Sequence, residues 1–260
     1  MSSLAPSEPA TILPDTTLTE GRYTLSFART DQELDAVLRL RFEVFNLELG
    51  EGLDSSYASG RDEDPFDAVC HHLIIRDRTT GDAVGSYRMQ TAEMATRNLG
   101  FYSDTEYEIS DLPSAVLSES MEIGRACVAQ AHRSIRVLFL LWKGLGVYSS
   151  VNDKRYLFGC SSVKTQDPEV ALGLHAYLRQ EDHLHPEIRV RTRSGFECPP
   201  QRAPIDPNSE HLPDLFRIYL HHGAKVCSPP AVDRQFKTID FLMLFDVFDM
   251  PRRMLKNFVK

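Results

Sequence analysis

The sequence predicts one domain of the mixed α/β class, because segments with the spacing of strands and of helices alternate along the chain. Residues 71–90 also have the pattern of an antiparallel hairpin with a short turn. In addition, 42% of the 260 residues are hydrophobic, enough to bury a large core. We expect a single domain over residues 22–260, preceded at 1–21 by a disordered tail that is polar and rich in Ser, Thr and Pro.

The first half of the domain is expected to contain three strands and one long helix. The helix is well marked, since Leu34, Leu38 and Phe45 recur at helical spacing after Asp31, the expected cap. The stretch that follows is rich in Gly, Ser and Asp and is typical of a loop. In chain order, these elements are a strand at 22–28, a helix at 31–49, a loop at 50–68, and hairpin strands at 71–77 and 83–90.

The second half continues the alternation of strands and helices. Asp167 precedes Pro168, a pair typical of a helix start, and the basic side chains of 187–193 alternate with apolar ones as in a strand. The expected elements are strands at 121–128, 154–162, 187–193 and 236–248, and helices at 135–148, from 167 onward, near 211–222 and over the basic tail 251–260.

Charge and cysteine content argue against several classes of protein. Acidic residues outnumber basic ones by 37 to 29, giving a net charge of −8, which argues against binding of nucleic acid over the whole surface. The five cysteines have no C-x-x-C spacing and are expected to be reduced thiols in the cytoplasm. The adjacent pairs His71-His72 and His221-His222 would point to opposite faces of a strand, so no metal site is expected.

The segment 121–128 carries two charged residues, Glu122 and Arg125, in an otherwise apolar strand. Burying an ionised side chain is costly unless it is paired or used, so these residues are candidates for a site. Because they are three positions apart, they would face opposite sides of a regular strand. Gly124 between them allows a β-bulge, which would turn both toward one side and leave a backbone N–H free to stabilise an oxyanion.

Two further arginines stand out by position. Arg41 lies on or beside the apolar stripe of the first helix, where it either covers the edge of the stripe with its stem or pairs with an aspartate of the loop. Arg88 shares one face of its strand with Ser86 and Val84, and that face is a candidate wall of a cleft.

Several short patterns occur in a fixed order along the chain: R-x-x-V-F at 41–45, D-x-x-D at 64–67, G-x-x-R at 85–88, and E-x-x-R-x-x-V at 122–128. This set resembles the GNAT-fold acyltransferases that use acyl carrier protein, and its order resembles the acyl-homoserine lactone synthases. Longer stretches are similar to the ornithine N-acyltransferases that make lyso-ornithine lipid: RDEDPFDAVCHHL, GSYRM, GFYSDTEYEI, EIGRACV, FGCSS and YLHHGAKVCSPPAVDRQFKTIDFLML. This likeness extends over residues 22–247.

The resemblance implies a central, mostly antiparallel twisted sheet flanked by helices, and transfer of a fatty or 3-hydroxyfatty acyl group to the α-amine of an amino acid. Glu122 is then the expected base, and the backbone at Gly124 the expected oxyanion donor. Arg88 or Arg125 would hold the carboxylate of the amino acid. The remaining candidate substrate contacts, with the aspartates as receivers of a cationic side chain, are Arg41, Phe45, Asp64 and Asp67.

The acyl donor is expected to be a thioester of acyl carrier protein, with no other cofactor bound. Acetyl-CoA users of the GNAT fold place a glycine-containing loop before the central helix to bind the pyrophosphate. The corresponding stretch here, AHRSIRVLFL, has no glycine. Arg133 and Arg136 are candidates to hold the single phosphate of a phosphopantetheine arm instead.

Alternative interpretations stay open at the level of the sequence. The acceptor is taken to be ornithine, but glycine, another amino acid or S-adenosylmethionine, which would give a homoserine lactone, are alternatives. An alternative of another class is a noncatalytic module that binds acyl carrier protein or lipid. The basic tail at 251–260 is a candidate contact with an anionic membrane surface, so we expect a cytoplasmic protein with peripheral contact at the inner membrane face.

Overall fold

The computed structural model describes residues 11–200 and 206–250. Within these ranges the chain forms a nine-stranded sheet in the order β1-β2-β3-β4-β5-β6-β9-β7, with β8 also paired to β9. All neighbouring strands are antiparallel except β5 and β6, which are parallel. The strands are β1 (Leu18–Glu20), β2 (Tyr23–Phe27), β3 (His71–Asp77), β4 (Ala83–Thr91), β5 (Ser120–Val128), β6 (Tyr156–Val163), β7 (Lys225–Val226), β8 (Ala231–Asp233) and β9 (Thr238–Asp246).

Helices flank this sheet, as the mixed α/β prediction requires. The α-helices are α1 (Asp31–Arg41), α2 (Ser56–Ser59), α3 (Ala92–Arg97), α4 (Ser114–Ser118), α5 (Ile135–Val151), α6 (Pro168–Gln180) and α7 (Asp214–His221). Short 3-10 helices occur at Pro65–Ala68, Tyr102–Thr105, Ile109–Asp111, Gln130–His132 and Val247–Asp249. No helix within 11–200 or 206–250 is both long and apolar enough to cross a membrane.

Helix α5 packs on one face of the sheet. It approaches so closely that a Cβ added at Gly144 would lie 2.2 Å from Leu73 Cδ1 and 2.7 Å from Leu25 Cδ1. Arg88 lies on the opposite face, since it pairs across the sheet with His72, the neighbour of Leu73 on β3. The sheet therefore separates the α5 core from the polar face that carries Arg88.

The first helix starts and continues differently from the prediction. Thr30, and not Asp31, is the N-cap, because its hydroxyl accepts the backbone N–H of Glu33 and the Glu33 carboxylate accepts the N–H of Thr30. After Arg41 the helix widens into a π-helical segment, Phe42–Leu49, which ends at Gly50 with a φ of 67°. Wider turns of this kind are frequent at functional sites.

The predicted strand at 187–193 is wrong. In this segment Thr192 makes an isolated bridge with Tyr107, and no strand forms there. The alternation has another cause: Ile188 and Val190 pack into a second apolar cluster of the core, while Arg191 turns outward to pair with Asp111.

The predicted disorder at 1–21 is wrong for its second half. Residues 18–20 form the edge strand β1 on β2. The Thr11 and Thr91 hydroxyls are 2.7 Å apart, and the N–H of Ile12 donates to Asn152 Oδ1. Polar composition did not prevent order here because a sheet edge was available for pairing. The predictions for residues 1–10 and for the helix at 251–260 lie outside the described residues.

Strands β5 and β6 pair at one end and part at the other. Their register runs from Ser120↔Tyr156 to Glu122↔Phe158 and stops there. Beyond that point β5 stays paired to β4, and β6 to β9. A wedge-shaped gap therefore opens in the middle of the sheet directly after Glu122.

Gly159 stands where this gap begins. A Cβ at this position would lie 2.1 Å from the backbone oxygen of Ile123, which cannot swing away as a side chain can. We expect Gly159→Ala to lower the free energy of unfolding by about 1–3 kcal/mol, measured by urea denaturation. Gly124→Ala is the control, since a Cβ there meets nothing within 4 Å. Equal stability of the two variants would contradict the close approach of β5 and β6.

Candidate active site

A cavity of about 460 Å³ occupies the gap between β5 and β6. Five of the predicted site residues line it: Phe45, Arg88, Glu122, Gly124 and Arg125. The rest of its wall is largely apolar and is contributed by β4, β6, β9 and α7, including Met89, Phe158, Phe216, Tyr219 and Met243. The cavity thus joins an apolar space to a small group of charged side chains.

Glu122 is buried at the charged end and is held by three hydrogen bonds. Its Oε2 accepts the backbone N–H of Tyr102 at 2.8 Å, and its Oε1 accepts the backbone N–H and the hydroxyl of Ser103, each at 2.6 Å. Burial raises the pKa of Glu122 above the usual range of a glutamate, although the donors of Ser103 and Tyr102 work against the rise. A fixed carboxylate with a raised pKa beside a cavity is suited to accept a proton near neutral pH.

Arg125 reaches the same cavity through a β-bulge. Arg88 pairs with Gly124, and Ser86 with Cys127, so two residues of β5 oppose one of β4. The residue in the left-handed conformation is Arg125, with a φ of 50°, and not the glycine before it. The predicted bulge is therefore present, but its strained position is one residue later than expected.

The guanidinium of Arg125 is packed between aromatic rings. It lies 4.1 Å from the centroid of Phe236 and 5.4 Å from that of Tyr102, and its Nη2 donates to Asp64 Oδ2 at 3.1 Å. Its Nε is buried and has no hydrogen-bond partner within the described residues. Glu122 and Arg125 thus take different partners in this part of the chain and share a cavity without neutralising each other.

Three arginines and three aspartates form a buried network beside the cavity, here called the arginine–aspartate cluster: Arg41, Arg88, Arg125, Asp62, Asp64 and Asp67. Arg41 Nη1 donates to Asp67 Oδ1 at 2.6 Å and its Nε to Asp62 Oδ1 at 2.9 Å. Although burial alone would raise it, Arg41 and Arg88 hold the pKa of Asp67 far below its usual range. The formal charges of the cluster cancel, which allows it to be buried.

The direct substrate contacts expected for Arg41, Asp64 and Asp67 do not fit their positions. Arg41 is fully buried in its pairs with Asp62 and Asp67 and does not line the cavity. Asp64 and Asp67 also lie outside the cavity wall. Both already form ion pairs, Asp64 with Arg88 and Arg125, and Asp67 with Arg88. These residues instead fix the two arginines that do reach the cavity.

The two arginines proposed for the phosphate of the donor lie apart from the cavity wall. Arg133 is exposed and bound at both ends of its guanidinium to the carboxylate of Glu48, at 2.6 and 2.8 Å. Arg136 is exposed on the first turn of α5, whose N-cap Ser134 accepts the N–H of Val137. Of the two, Arg136 has the freer approach to an anion at this helix end.

Sequence reasoning missed a second buried acidic group, here called the carboxylate cluster and formed by Glu106, Asp233 and Asp240. One oxygen from each lies within 4.8 Å of the other two, so the group has the donor chemistry to hold a cation. A sequence signal for Asp240 does exist: it is the only charged residue in the apolar strand segment TIDFLML, just as Glu122 is a charged residue inside an apolar strand. Asp233 and Asp240 line the cavity as well.

Cysteine thiols at the cavity are unsuited to nucleophilic attack. Cys70 and Cys160 both line it. Burial raises the pKa of Cys70 to about 12 and that of Cys160 well above its usual value. Both therefore stay protonated at neutral pH, in line with a reaction that forms no acyl-cysteine.

Comparison with known proteins places this geometry in a class. Residues 40–143 match the family model of the acetyltransferase (GNAT) domain, a stretch that contains Arg41, the arginine–aspartate cluster, Glu122 and Arg125. The gapped sheet, its flanking helices and this match define an acyltransferase of the GNAT fold.

The relatives are more specific. The chain is 33% identical over 244 residues to the L-ornithine N(alpha)-acyltransferase of Rhizobium meliloti, covering 89% of this chain and 82% of the relative. It is 31% identical over 245 residues to the enzyme of the same name from Rhodobacter capsulatus, covering 89% and 92%. This chain belongs to the L-ornithine N(alpha)-acyltransferase family. Among solved structures, an N-acyl amino acid synthase from uncultured soil microbes superposes with a TM-score of 0.48 at 10% identity, over 86% of this chain and 90% of that one.

Proposed function

We propose that this protein transfers a fatty acyl group from the thioester of acyl carrier protein to the α-amine of ornithine. The observation that carries the proposal is the buried, hydrogen-bonded Glu122 in a cavity that also contains Arg125 and a long apolar wall. The names of the relatives supply the acceptor. The product would be an N-acylated ornithine, an amphipathic lipid.

The reaction proceeds by direct attack of the amine on the thioester carbonyl. Glu122 accepts a proton from the attacking amine, either directly or through a water molecule. The C–N bond forms first and turns the carbonyl oxygen into an oxyanion; the C–S bond then breaks, and the leaving thiolate takes up the proton that Glu122 accepted. The edge of β5 at Gly124 lies open to the cavity, where a backbone N–H can stabilise the oxyanion.

Arg125 is the better candidate of the two arginines to hold the carboxylate of the amino acid. Arg88 donates from Nη1 to both Asp64 and Asp67, so two carboxylates already share its charge. Arg125 makes one hydrogen bond, from Nη2 to Asp64, and its buried Nε makes none within the described residues, since Asp62 Oδ1 is 3.9 Å away. Two aromatic rings orient its guanidinium. The apolar wall, with Phe45 at its edge, is left to receive the acyl chain.

Acyl carrier protein is the proposed donor because the segment that leads into α5, AHRSIRVLFL, lacks the glycines that bind the pyrophosphate of CoA in acetyl-CoA users of this fold. A phosphopantetheine arm carries one phosphate, for which the N-terminus of α5 with Arg136 is a matching site. The arm would then enter the sheet through the gap between β5 and β6.

The proposal is tested by incubating the protein with acyl carrier protein charged with a radiolabelled 3-hydroxyacyl chain and with single amino acids, followed by lipid extraction. We expect a labelled amide with ornithine, and much less product when acyl-CoA replaces the carrier protein. Label recovered on glycine, or in a homoserine lactone when S-adenosylmethionine is supplied, would show that the acceptor is not ornithine. Binding of the carrier protein with no turnover on any amine would identify a noncatalytic module.

Substitution of Arg125 by lysine tests its proposed role. Lysine keeps the charge but loses the planar fork, so we expect Arg125→Lys to raise the KM for the amino acid about 10-fold or more, with the KM for the acyl donor nearly unchanged. Arg155→Lys is a matched control, because Arg155 also stacks on two rings, Tyr156 and Phe248, and pairs with an aspartate, but lies outside the cavity. Equal KM values for the amino acid in both variants would exclude Arg125 from carboxylate binding.

A further inference from the structure

The carboxylate cluster has no part in the acyl transfer derived above, yet Asp233 and Asp240 line the cavity, and Glu106 lies beside them outside its wall. Glu106 follows the 3-10 helix Tyr102–Thr105, Asp233 ends β8, and Asp240 lies within β9. All three side chains are buried. Three acidic side chains from three separate segments are thus brought within 4.8 Å of one another.

Within this cluster Asp233 Oδ1 accepts the backbone N–H groups of Gln235 and Phe236, whereas Glu106 and Asp240 are short of donors. Glu106 Oε1 and Asp240 Oδ1 are buried and have no hydrogen-bond partner among residues 11–200 and 206–250. Burial raises the pKa of Glu106 well above its usual value and that of Asp240 to about 6, and repulsion from Asp233 acts in the same direction on both. For Asp240, hydrogen bonds with Ser162 and Glu106 work against the rise. Arg125 is near enough to lower both pKa values, but its hydrogen bond goes to Asp64. A buried acceptor without a donor is costly, so these oxygens need either a shared proton between Glu106 and Asp240 or a bound cation.

The upper limit on the spacing of the oxygens is compatible with a primary ammonium. An ammonium has three donors at tetrahedral angles. With charge-assisted hydrogen bonds of about 2.8 Å, its three acceptors stand about 4.6 Å apart. The oxygens of the carboxylate cluster all lie within 4.8 Å of one another. One bound ammonium would therefore supply a donor to each carboxylate and neutralise one of their charges.

The cluster and Glu122 are also linked through one short segment. The 3-10 helix Tyr102–Thr105 connects the two sites, because its first N–H groups bind Glu122 and Glu106 follows its last turn. Glu122 and two members of the cluster, Asp233 and Asp240, line the same cavity. An amino acid with two amines can therefore present one amine to each site.

We propose that the carboxylate cluster binds the side-chain ammonium of the acceptor amino acid while its α-amine faces Glu122. This inference rests on the proposed function and adds the basis of its acceptor specificity. The bound side-chain amine stays protonated and therefore cannot attack the thioester. The cluster would in this way also direct acylation to the α-amine.

The test compares ornithine with norleucine, in which a methyl group replaces the side-chain ammonium. Acylation of each by the wild type, Asp240→Asn and Glu106→Gln is measured with one acyl donor, and binding of each amino acid without donor is measured by calorimetry. We expect the wild type to favour ornithine, and each variant to lose about 30-fold or more in kcat/KM and affinity for ornithine, with little change for norleucine. Each variant removes a buried charge of raised pKa, so both are expected to fold.

Asp246→Asn is the matched control, since it removes a charge from the same strand β9 at a residue that pairs with Arg155 outside the cavity. An unchanged ratio of ornithine to norleucine in the two cluster variants, or equal binding of both amino acids by the wild type, would overturn the inference. A divalent metal ion that binds the wild type but not Asp240→Asn, with activity lost in EDTA, would overturn it in favour of a metal site. Ornithine binding that depends on Asp240 without acylation would leave the inference standing and disprove the proposed function.

Discussion

Glu122→Gln is expected to lower turnover by about 10²-fold or more while the protein stays folded. The amide cannot accept the proton of the amine, although it nearly matches the carboxylate in shape. Its oxygen can still accept both donors of Ser103, but its NH₂ then faces the N–H of Tyr102, which leaves a buried donor unpaired. That loss costs about 1–3 kcal/mol of stability, so thermal unfolding is measured beside steady-state acylation.

A pH profile separates the chemical role of Glu122 from a structural one. The base must be ionised, so kcat/KM of the wild type falls as the pH drops through its raised pKa, and this acidic limb is absent in Glu122→Gln. Ser103→Ala keeps the carboxylate but removes a donor that lowers its pKa, so the limb should move to higher pH. Near-normal acylation by Glu122→Gln would remove Glu122 from the base role.

Arg41→Met is expected to be the most destabilising single change, lowering the free energy of unfolding by about 3–5 kcal/mol. Arg41 is fully buried, and without it Asp62 and Asp67 lose the charge that compensates them. The pairs that Asp67 and Asp64 make with Arg88 and Arg125 would loosen with it, so activity should fall as well. Chemical denaturation measures the first effect and the acylation assay the second.

Arg39→Met is the control for that experiment. Arg39 lies on the same helix, but it is 58% exposed and pairs with Asp35 at the surface, so its loss should cost less than about 1 kcal/mol. Where Arg41→Met folds too poorly to measure, Arg41→Met combined with Asp62→Asn should recover part of the loss, because one uncompensated charge is removed. Similar stabilities of the Arg39 and Arg41 variants would show that the arginine–aspartate cluster does not hold the fold.

The fold class and most element positions could be predicted from periodicity. The hairpin of β3 and β4, the strand β5 and the start of α6 at Asp167 are confirmed. The mostly antiparallel sheet with flanking helices, which the family resemblance implied, is confirmed as well. The two failures that concern strands share one cause, which is that strand pairing depends on a neighbour that the local sequence does not reveal. Residues 187–193 alternate but have no strand to pair with, whereas 18–20 are polar yet meet the edge of β2.

The candidate site was predictable where a charged residue interrupts an apolar strand. Glu122 and Arg125 were found in this way, and the structure brings both to one cavity with Arg88, Gly124 and Phe45. For Arg41, the sequence left open a pairing with a loop aspartate, and the structure shows that pairing. A local pattern does not show which charges meet in space. The pairing of Arg88 with Asp64 and Asp67, and the meeting of Glu106 with Asp233 and Asp240, were therefore not predicted.

The left-handed backbone at Arg125 lowers the stability of the fold, but it places a guanidinium at the cavity. A side chain in the left-handed region costs about 1–2 kcal/mol, and glycine would avoid that cost. Glycine, however, has no guanidinium to place between Phe236 and Tyr102 at the mouth of the gap. Screening this enzyme for heat resistance alone would therefore tend to discard the residue that we propose to hold the carboxylate of its acceptor.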